Sequence, residues 1–156
     1  MRLEIDGEHV GIKFSACHFI ARHEKCGRLH GHTYVISLRL SGERGDRGML
    51  VDFIPLKRAL RSLSEELDHR VLIPALSTQI SIQEGAEITV ISGTKRYVFP
   101  KEDVVLLPLI ESSAEELARY LMERLRQTFV IPNNVSHVEL GIHEELGQSA
   151  WVEVDL

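Results

Sequence analysis

The chain has 156 residues, 44% of them hydrophobic, which is enough for one domain to bury a core without disulfide bonds. Its formal net charge of −5 argues against general nucleic-acid binding, and its two cysteines are too few for a secreted disulfide scaffold. No segment approaches the roughly 18 apolar residues of a membrane span, and the first six residues resemble a strand rather than a signal peptide. We therefore expect a cytoplasmic protein that contacts neither membranes nor nucleic acid.

The first third of the chain predicts two long strands joined by a basic loop. Apolar and polar residues alternate over residues 10–18 and again over 33–40, and this period of two is typical of strands. Residues 19–31 carry several basic side chains and two glycines, which indicates a loop. The SGERGDRG segment at 41–48 predicts a turn after the second strand.

Leucines at helical spacing predict a first helix over about 53–67, with Asp52 as its N-cap. The segment that follows, about 75–110, contains several short apolar runs. We predict an extra β-hairpin within it, with Ser92-Gly93-Thr94 as a turn. Its short strands are expected at residues 80–83, 87–91 and 96–99.

A second amphipathic helix is predicted over about 113–128, where leucines again recur at helical spacing. Two capping boxes fit its start, Ser112 with Glu115 and Ser113 with Glu116. The sequence leaves both possibilities open.

The C-terminal segment predicts two more alternating strands, over residues 138–142 and 150–154. The predicted elements follow in the order two strands, a helix, an insertion, a second helix and two strands. This order predicts an α+β fold in which two helices lie on one face of an antiparallel sheet. We expect residues 1–156 to form one domain, with the insertion at about 75–110.

Three histidines form a candidate metal site. His30 and His32 point to the same side of an extended strand, and His18 ends the preceding strand. If the strands pair as a hairpin, the imidazoles converge as the ligands of a catalytic zinc with an open fourth position; otherwise they are ordinary loop histidines. Cys17 or His23 could be a fourth ligand instead of the open position, although we expect Cys17 to be a packed thiol on the opposite face and His23 a surface side chain.

Six segments together form a motif pattern that covers most of the chain. They are Phe14-Ser15-Ala16-Cys17-His18, Cys26-Gly27-Arg28-Leu29-His30-Gly31-His32, Gly48-Met49-Leu50-Val51-Asp52-Phe53 with Leu56-Lys57, Leu67-Asp68-His69, Ser113-Ala114-Glu115-Glu116-Leu117-Ala118 and Ile142-His143-Glu144. In the same order they resemble motifs of the 6-pyruvoyltetrahydropterin synthase superfamily. The three-residue gap between Cys26 and His30 is similar to that of the 6-carboxytetrahydropterin synthase branch.

The resemblance implies a T-fold, which is a four-stranded antiparallel sheet with two helices on one face. It also implies a homo-oligomer, in which subunits join through their sheets into trimers, two trimers stack into a hexamer and active sites lie between subunits. The implied enzyme is a zinc-dependent lyase, with Zn²⁺ on His18, His30 and His32. It converts 7,8-dihydroneopterin triphosphate into 6-carboxy-5,6,7,8-tetrahydropterin, acetaldehyde and triphosphate, early in 7-deazaguanine synthesis.

The resemblance further implies roles for individual side chains. Cys26 is the candidate general base, and cationic neighbours favour the thiolate form of a cysteine. Asp68 would orient His69 in a relay that carries the proton. Glu144 would accept hydrogen bonds from the pterin ring and take part in the same relay.

Ser113 and Glu115 are candidate pterin-binding residues at the start of the second helix. The chain departs from the resemblance here, because Ser112-Ser113 replaces the usual Pro-Thr. Two roles stay open for Glu115, namely pterin binding and helix capping. The long insertion and the Arg70-Val71-Leu72-Ile73 segment, where the family often has Asn or Asp, are further departures.

Several alternatives stay open. The 6-pyruvoyltetrahydropterin synthase branch typically has a longer gap before H-G-H. Enzymes that form 6-hydroxymethyldihydropterin resemble E-x-x-H-G-H, with glutamate where this chain has Gly27. A non-catalytic pterin- or purine-binding protein would not need Cys26 or His69, and a structural zinc protein would unfold on chelation.

Overall fold

Both predicted long helices are present in the computed structural model, which describes residues 1–45 and 47–156. Asp46, in the predicted turn at 41–48, lies outside the described residues. Among the helices that are described, none has the length and apolar character needed to cross a bilayer. The elements in chain order are β1 (Arg2–Ile5), α1 (Gly7–Val10), β2 (Lys13–His18), β3 (His30–Gly42), α2 (Phe53–Leu67), β4 (Arg70–Pro74), β5 (Ile80–Glu84), β6 (Glu87–Ser92), β7 (Lys95–Pro100), a 3-10 turn (Lys101–Asp103), β8 (Val104–Leu107), α3 (Ala114–Thr128), β9 (Val135–Glu145) and β10 (Gln148–Asp155).

The main sheet has the strand order β10-β9-β3-β2-β4-β8, and β1 pairs with the second half of β3. The four predicted strands β2, β3, β9 and β10 pair antiparallel, so the predicted α+β arrangement is confirmed. β4 and β8 extend the sheet in parallel beyond β2. The sequence did not predict them because they are short apolar runs without alternation.

Helices α2 and α3 pack on one face of the main sheet and enclose the core. Alternate residues of a strand share a face, and the even-numbered side chains of β2, β3 and β9 point toward the helices. Each leucine buried there stabilises the fold by roughly 1.5–3 kcal/mol relative to an exposed one. Fully buried members of this core include Phe14, Tyr34, Ile36, Leu60, Leu121 and Leu140.

The opposite face of the main sheet carries polar and charged side chains. On this face the Trp151 indole lies flat over Gly141, where a Cβ atom would come within 2.5 Å of the ring. The Arg39 guanidinium stacks on the same indole, 4.2 Å from its centroid, which adds a cation–π contact. Such a face suits contact with water or with another polar surface.

The insertion forms a second sheet of three antiparallel strands, β5-β6-β7, rather than a single hairpin. The predicted turn at Ser92–Thr94 is confirmed, and Gly93 adopts a φ of +61°, which glycine tolerates without strain. This second sheet has a small core of its own, in which Phe19, Ile73, Ile88 and Val90 are buried. It therefore packs against the segment that follows His18.

Two predicted strand boundaries were wrong. The first long strand begins at Lys13 and not at residue 10, because Asp6 caps a one-turn helix that ends at Gly11 in the left-handed region. The second begins at His30 and not at residue 33, because His30 already pairs with His18. The loop is therefore shorter than predicted, and His30 lies in the sheet as the first residue of β3.

A pH dependence of stability is expected from His137. The Asp155 carboxylate, whose Oδ1 lies 2.7 Å from His137 Nδ1, raises the pKa of His137, and Glu153 and Glu139 add attraction. A raised folded-state pKa gives stability that is complete below the ordinary pKa of 6.5 and is lost as pH rises through the folded pKa. Urea unfolding should thus show wild-type stability falling above about pH 6.5, with a flatter profile in His137→Gln. Identical profiles for the two proteins would contradict this assignment.

Candidate metal centre and active-site cleft

The strand register brings the three predicted histidines together. His18 lies opposite His30 in the antiparallel pair, and His32 follows on the same face of β3. The ring centroid of His18 lies 4.6 Å from that of His30 and 5.2 Å from that of His32. One nitrogen of each ring lies within 4.8 Å of the others, which is close enough for one ion to contact all three.

Backbone carbonyls orient two of these imidazoles. His18 Nδ1 lies 2.7 Å from the Ser112 carbonyl oxygen, and His30 Nδ1 lies 2.7 Å from the Arg28 carbonyl oxygen. Each carbonyl requires a proton on Nδ1, so Nε2 is left with a free lone pair. His18 Nε2 is buried and lacks a hydrogen-bond partner among the described residues. A buried nitrogen of this kind is costly unless something binds it.

The burial of His18 also fixes its charge. The side chain is 2% exposed, and this burial lowers the pKa of His18 to about 4. The ring is therefore neutral near pH 7 and can donate its lone pair to a cation. Orientation, neutrality and spacing all fit the metal site that the sequence predicted.

A cleft of 770 Å³ opens beside the three imidazoles. The predicted Cys26, Ser113, Glu115 and Glu144 all line it, although they come from a loop, from the start of α3 and from β9. The structure thus brings together the candidate metal ligands and most of the predicted catalytic and binding side chains.

Ser113 is the N-cap of α3, and its hydroxyl accepts a hydrogen bond from the Glu116 N–H at 3.5 Å. The cap is therefore Ser113 and not Ser112, which resolves the two possibilities left by the sequence, and the Glu116 carboxylate accepts a hydrogen bond from Arg119 at 3.0 Å. Glu115 does not fill the capping position, and its exposed side chain lines the cleft. Ser112 is fully buried, and its hydroxyl donates to the Phe19 carbonyl oxygen at 3.0 Å.

Cys26 is held at the rim of the cleft by a compact loop. The Ile20 N–H donates to the Cys26 carbonyl oxygen at 2.8 Å, and the Cys26 N–H donates to His23 Nδ1 at 3.0 Å. At Gly27, a Cβ atom would come within 2.2 Å of the His23 carbonyl oxygen. The chain in this conformation has no room for a side chain at position 27.

Two predictions about nearby side chains were tested by this geometry. Cys17 points away from His18 as expected, but it is exposed and not packed, because no helix covers that side of β2 among the described residues. His23 holds the Cys26 amide, so it does not belong to the metal group.

The sequence did not single out Tyr34, although it lies beneath the metal site. Its ring centroid is 5.5 Å from that of His32 and 5.9 Å from that of His18. Its fully buried hydroxyl lacks a hydrogen-bond partner at ordinary distance among the described residues. Burial and the nearby Glu144 carboxylate raise the pKa of Tyr34, so the phenol stays protonated. The alternation that marked Tyr34 as core could not show what its hydroxyl faces.

Asp68 and His69 lie apart from this cleft. Asp68 Oδ2 is 2.8 Å from His69 Nδ1, as predicted for an oriented imidazole, and Asp68 Oδ1 accepts the Ser15 N–H at 2.7 Å. That backbone donor and His69 lower the pKa of the Asp68 carboxyl. His69 is exposed and lines a separate hollow on the opposite face of the main sheet, beside Cys17. The structure of one chain therefore does not bring this pair to Cys26.

Comparisons with known proteins agree with the fold and the site. The family model described as 6-pyruvoyl tetrahydropterin synthase matches residues 9–155. The chain belongs to the 6-pyruvoyl tetrahydropterin synthase family. It is 34% identical over 156 residues to a Methanocaldococcus jannaschii protein provisionally named a 6-carboxy-5,6,7,8-tetrahydropterin synthase, covering 96% of this chain and 94% of the relative.

Two other relatives extend this result. The 6-carboxy-5,6,7,8-tetrahydropterin synthase of Rickettsia conorii is 27% identical over 146 residues, which cover 92% of this chain and 95% of that protein. The crystal structure of 6-pyruvoyl tetrahydropterin synthase from Plasmodium vivax superposes with a TM-score of 0.93 at 31% identity, and 100% of this chain and 98% of that chain are covered. The predicted T-fold is thereby confirmed.

Membership of the tetrahydropterin synthase family also confirms that the protein is an enzyme, a lyase of pterin chemistry. The three-histidine group is compatible with the metal site of this family. The roles of individual site residues are supported by the geometry described above and not by these comparisons.

Metal content should depend on the buried ligand. We expect His18→Ala to weaken metal binding by more than about 100-fold, since even residues that only orient a ligand contribute 10- to 100-fold. His9→Ala is the matched control, because His9 is an exposed imidazole on α1 that pairs with Asp6. Elemental analysis of dialysed protein provides the measurement.

Removal of the metal by a chelator should leave the far-ultraviolet circular dichroism spectrum unchanged, because the cores are formed by apolar side chains. A spectrum of unfolded chain after chelation would instead indicate a structural zinc protein.

Proposed function

We propose that the protein is a zinc-dependent lyase that converts 7,8-dihydroneopterin triphosphate into 6-carboxy-5,6,7,8-tetrahydropterin. Water is consumed, and acetaldehyde and triphosphate are released, in an early step of 7-deazaguanine synthesis. The observation that carries this proposal is the single cleft in which Cys26 and Glu144 lie beside the three imidazoles. Free thiols suit a reducing compartment, so we place the enzyme in the cytoplasm.

The donor set supports zinc as the metal. His18, His30 and His32 offer three imidazole nitrogens, and three histidines with an open fourth position are typical of catalytic zinc. Zinc bound there would polarise oxygens of the substrate side chain and lower their pKa.

Cys26 is proposed to be the general base. Its thiol lines the cleft on a loop that its own hydrogen bonds hold in place. The thiolate would take a proton from the substrate side-chain carbon attached to the pterin ring. Lys25 and Arg28 line the same cleft, so they would stabilise both the thiolate and the triphosphate.

Glu144 is proposed to anchor the pterin. Its side chain lines the cleft near the end of β9. A carboxylate can accept paired hydrogen bonds from an amino group and an adjacent ring N–H. Glu115 and Ser113 line the cleft at the start of α3 and would contact the pterin from that side.

Asp68 and His69 are proposed to act in the cleft of a neighbouring subunit. His69 lines the hollow on the polar sheet face, and Asp68 binds its ring; the trimers implied by the family would join subunits through their sheets and could bring this pair to a neighbouring cleft. The enzyme would then be a homohexamer built of two trimers, with each site completed by two chains. A heterologous contact repeated around a ring gives this arrangement.

The carboxy branch is favoured by the loop and by the named relatives. Three residues separate Cys26 from His30, and the loop leaves no space for a side chain at Gly27. A glutamate at that position would require a different loop. The relatives in Methanocaldococcus jannaschii and Rickettsia conorii bear the 6-carboxy name.

The second candidate is 6-pyruvoyltetrahydropterin synthesis, because the Plasmodium vivax structure that superposes at a TM-score of 0.93 bears that name. Pterin binding without catalysis is the third candidate, and it would make the Cys26 thiol dispensable.

Product identification tests the branch directly. Purified enzyme with zinc should convert 7,8-dihydroneopterin triphosphate into a carboxypterin, detected by mass spectrometry, and acetaldehyde in equal amounts. A three-carbon pyruvoyl product without acetaldehyde would support the second candidate instead. If the substrate is not consumed and no triphosphate is released, only the third candidate, pterin binding without catalysis, would remain.

Mixed assemblies test the shared site. Cys26→Ala and His69→Ala should each abolish turnover while keeping bound zinc. When equal amounts are unfolded together and reassembled, about one cleft in four receives an intact Cys26 and an intact His69 from different chains, so about a quarter of wild-type activity should return. Each variant reassembled alone is the control. Absence of recovery in an assembled mixture would place both residues in one chain's site.

A further inference from the structure

The loop that carries Cys26 is closed on itself by backbone hydrogen bonds. The Gly27 N–H donates to the His23 carbonyl oxygen at 3.0 Å, and the Ile20 N–H donates to the Cys26 carbonyl oxygen at 2.8 Å. These bonds fix the shape of the loop but do not attach it to the rest of the protein. The position of Cys26 relative to the imidazoles thus depends on what the loop contacts.

The second sheet contacts the start of this loop. Phe19 directly follows His18, is fully buried, and stacks on Tyr97 of β7 with a centroid distance of 5.3 Å. Tyr97 in turn stacks on Phe99 at 6.0 Å. The apolar contact therefore fixes the chain where it leaves the metal ligand.

The second sheet also contacts the end of the loop. Lys95 Nζ donates a hydrogen bond to the Gly27 carbonyl oxygen at 2.5 Å. Gly27 is buried and is the neighbour of Cys26 in the chain. The ammonium group of Lys95 is thus one residue away from the proposed base without lining the cleft.

The hairpin turn determines where Lys95 points. Lys95 follows the two-residue turn at Gly93 and pairs with Ser92. Because side chains alternate along a strand, Lys95 and Tyr97 share one face of β7 and both meet the loop. Arg96 points to the other face, so it is a cation of similar length that cannot make this contact.

We propose that the second sheet braces the Cys26 loop and that Lys95 is a positioning residue, which sets the place of Cys26 through the Gly27 carbonyl. The effect on turnover rests on the function proposed above, whereas the effect on loop structure does not. A base displaced by about 1 Å can lose up to 100-fold in rate, so a brace outside the cleft affects the chemistry.

Lys95→Met, Lys95→Arg and Arg96→Met test this proposal. Lys95→Met keeps the apolar stem of the side chain and removes the hydrogen-bond donor, so Cys26 should react several-fold faster with iodoacetamide. Peptide mass spectrometry follows the reaction and distinguishes Cys26 from Cys17. Amide exchange at Gly27 and Arg28 should accelerate as well, while exchange in β5–β7 stays unchanged. Lys95→Arg should restore wild-type behaviour, and Arg96→Met should equal the wild type.

Measurement of turnover provides a second test of the proposal, independent of alkylation and amide exchange. In Lys95→Met we expect kcat to fall about ten- to a hundred-fold while KM and zinc content stay near wild type, since Glu144 and the histidines are untouched. Wild-type Cys26 alkylation and loop exchange in Lys95→Met, or the same changes in Arg96→Met, would overturn the brace. If the wild type itself lacks the proposed activity, the alkylation and exchange results still decide the brace, so the two failures are distinguishable.

Discussion

The site depends on the antiparallel register between β2 and β3, which places His18 opposite His30 and Ala16 opposite His32. A slip of one residue would turn His30 and His32 to the other face of the sheet, away from His18. The register is held by core packing two pairs further along, where Phe14 stacks on Tyr34 with a centroid distance of 4.8 Å. The same apolar contacts that stabilise the sheet therefore bring the three candidate metal ligands together.

Burial gives His18 its chemical character. Because His18 is buried, its ring is neutral, and the Ser112 carbonyl binds Nδ1 so that the lone pair of Nε2 stays free. Ser112 is in turn bound to the Phe19 carbonyl, so one buried serine links the helix start to the segment after the ligand. The loop with Cys26 follows Phe19 in the chain and contacts the second sheet at both of its ends. The candidate metal ligands, the proposed base and the insertion are thus linked by direct contacts.

Much of the fold was predictable from the sequence because its signals are local. The leucine spacing gave α2 at its observed bounds, and apolar alternation gave β2, β3, β9 and β10. Local signals failed where tertiary contacts decide the outcome. β4 and β8 are too short to show a period, and α1 replaced part of a predicted strand because Asp6 can cap a single turn. The insertion's strands were predicted, but their assembly into a separate sheet against Phe19 was not.

The sequence by itself determined which side chains can carry the chemistry, since the spacing of His30 and His32 and the motifs around Cys26 and Glu144 are fixed by covalent order. Only the tertiary structure decided which of them meet. It gathered the histidines, Cys26 and Glu144 in one cleft and put His69, with Asp68 bound to its ring, outside that cleft. The physical reason is that a strand presents alternate residues to opposite faces, while pairing between distant strands, driven by burial of the core, selects the neighbours on each face.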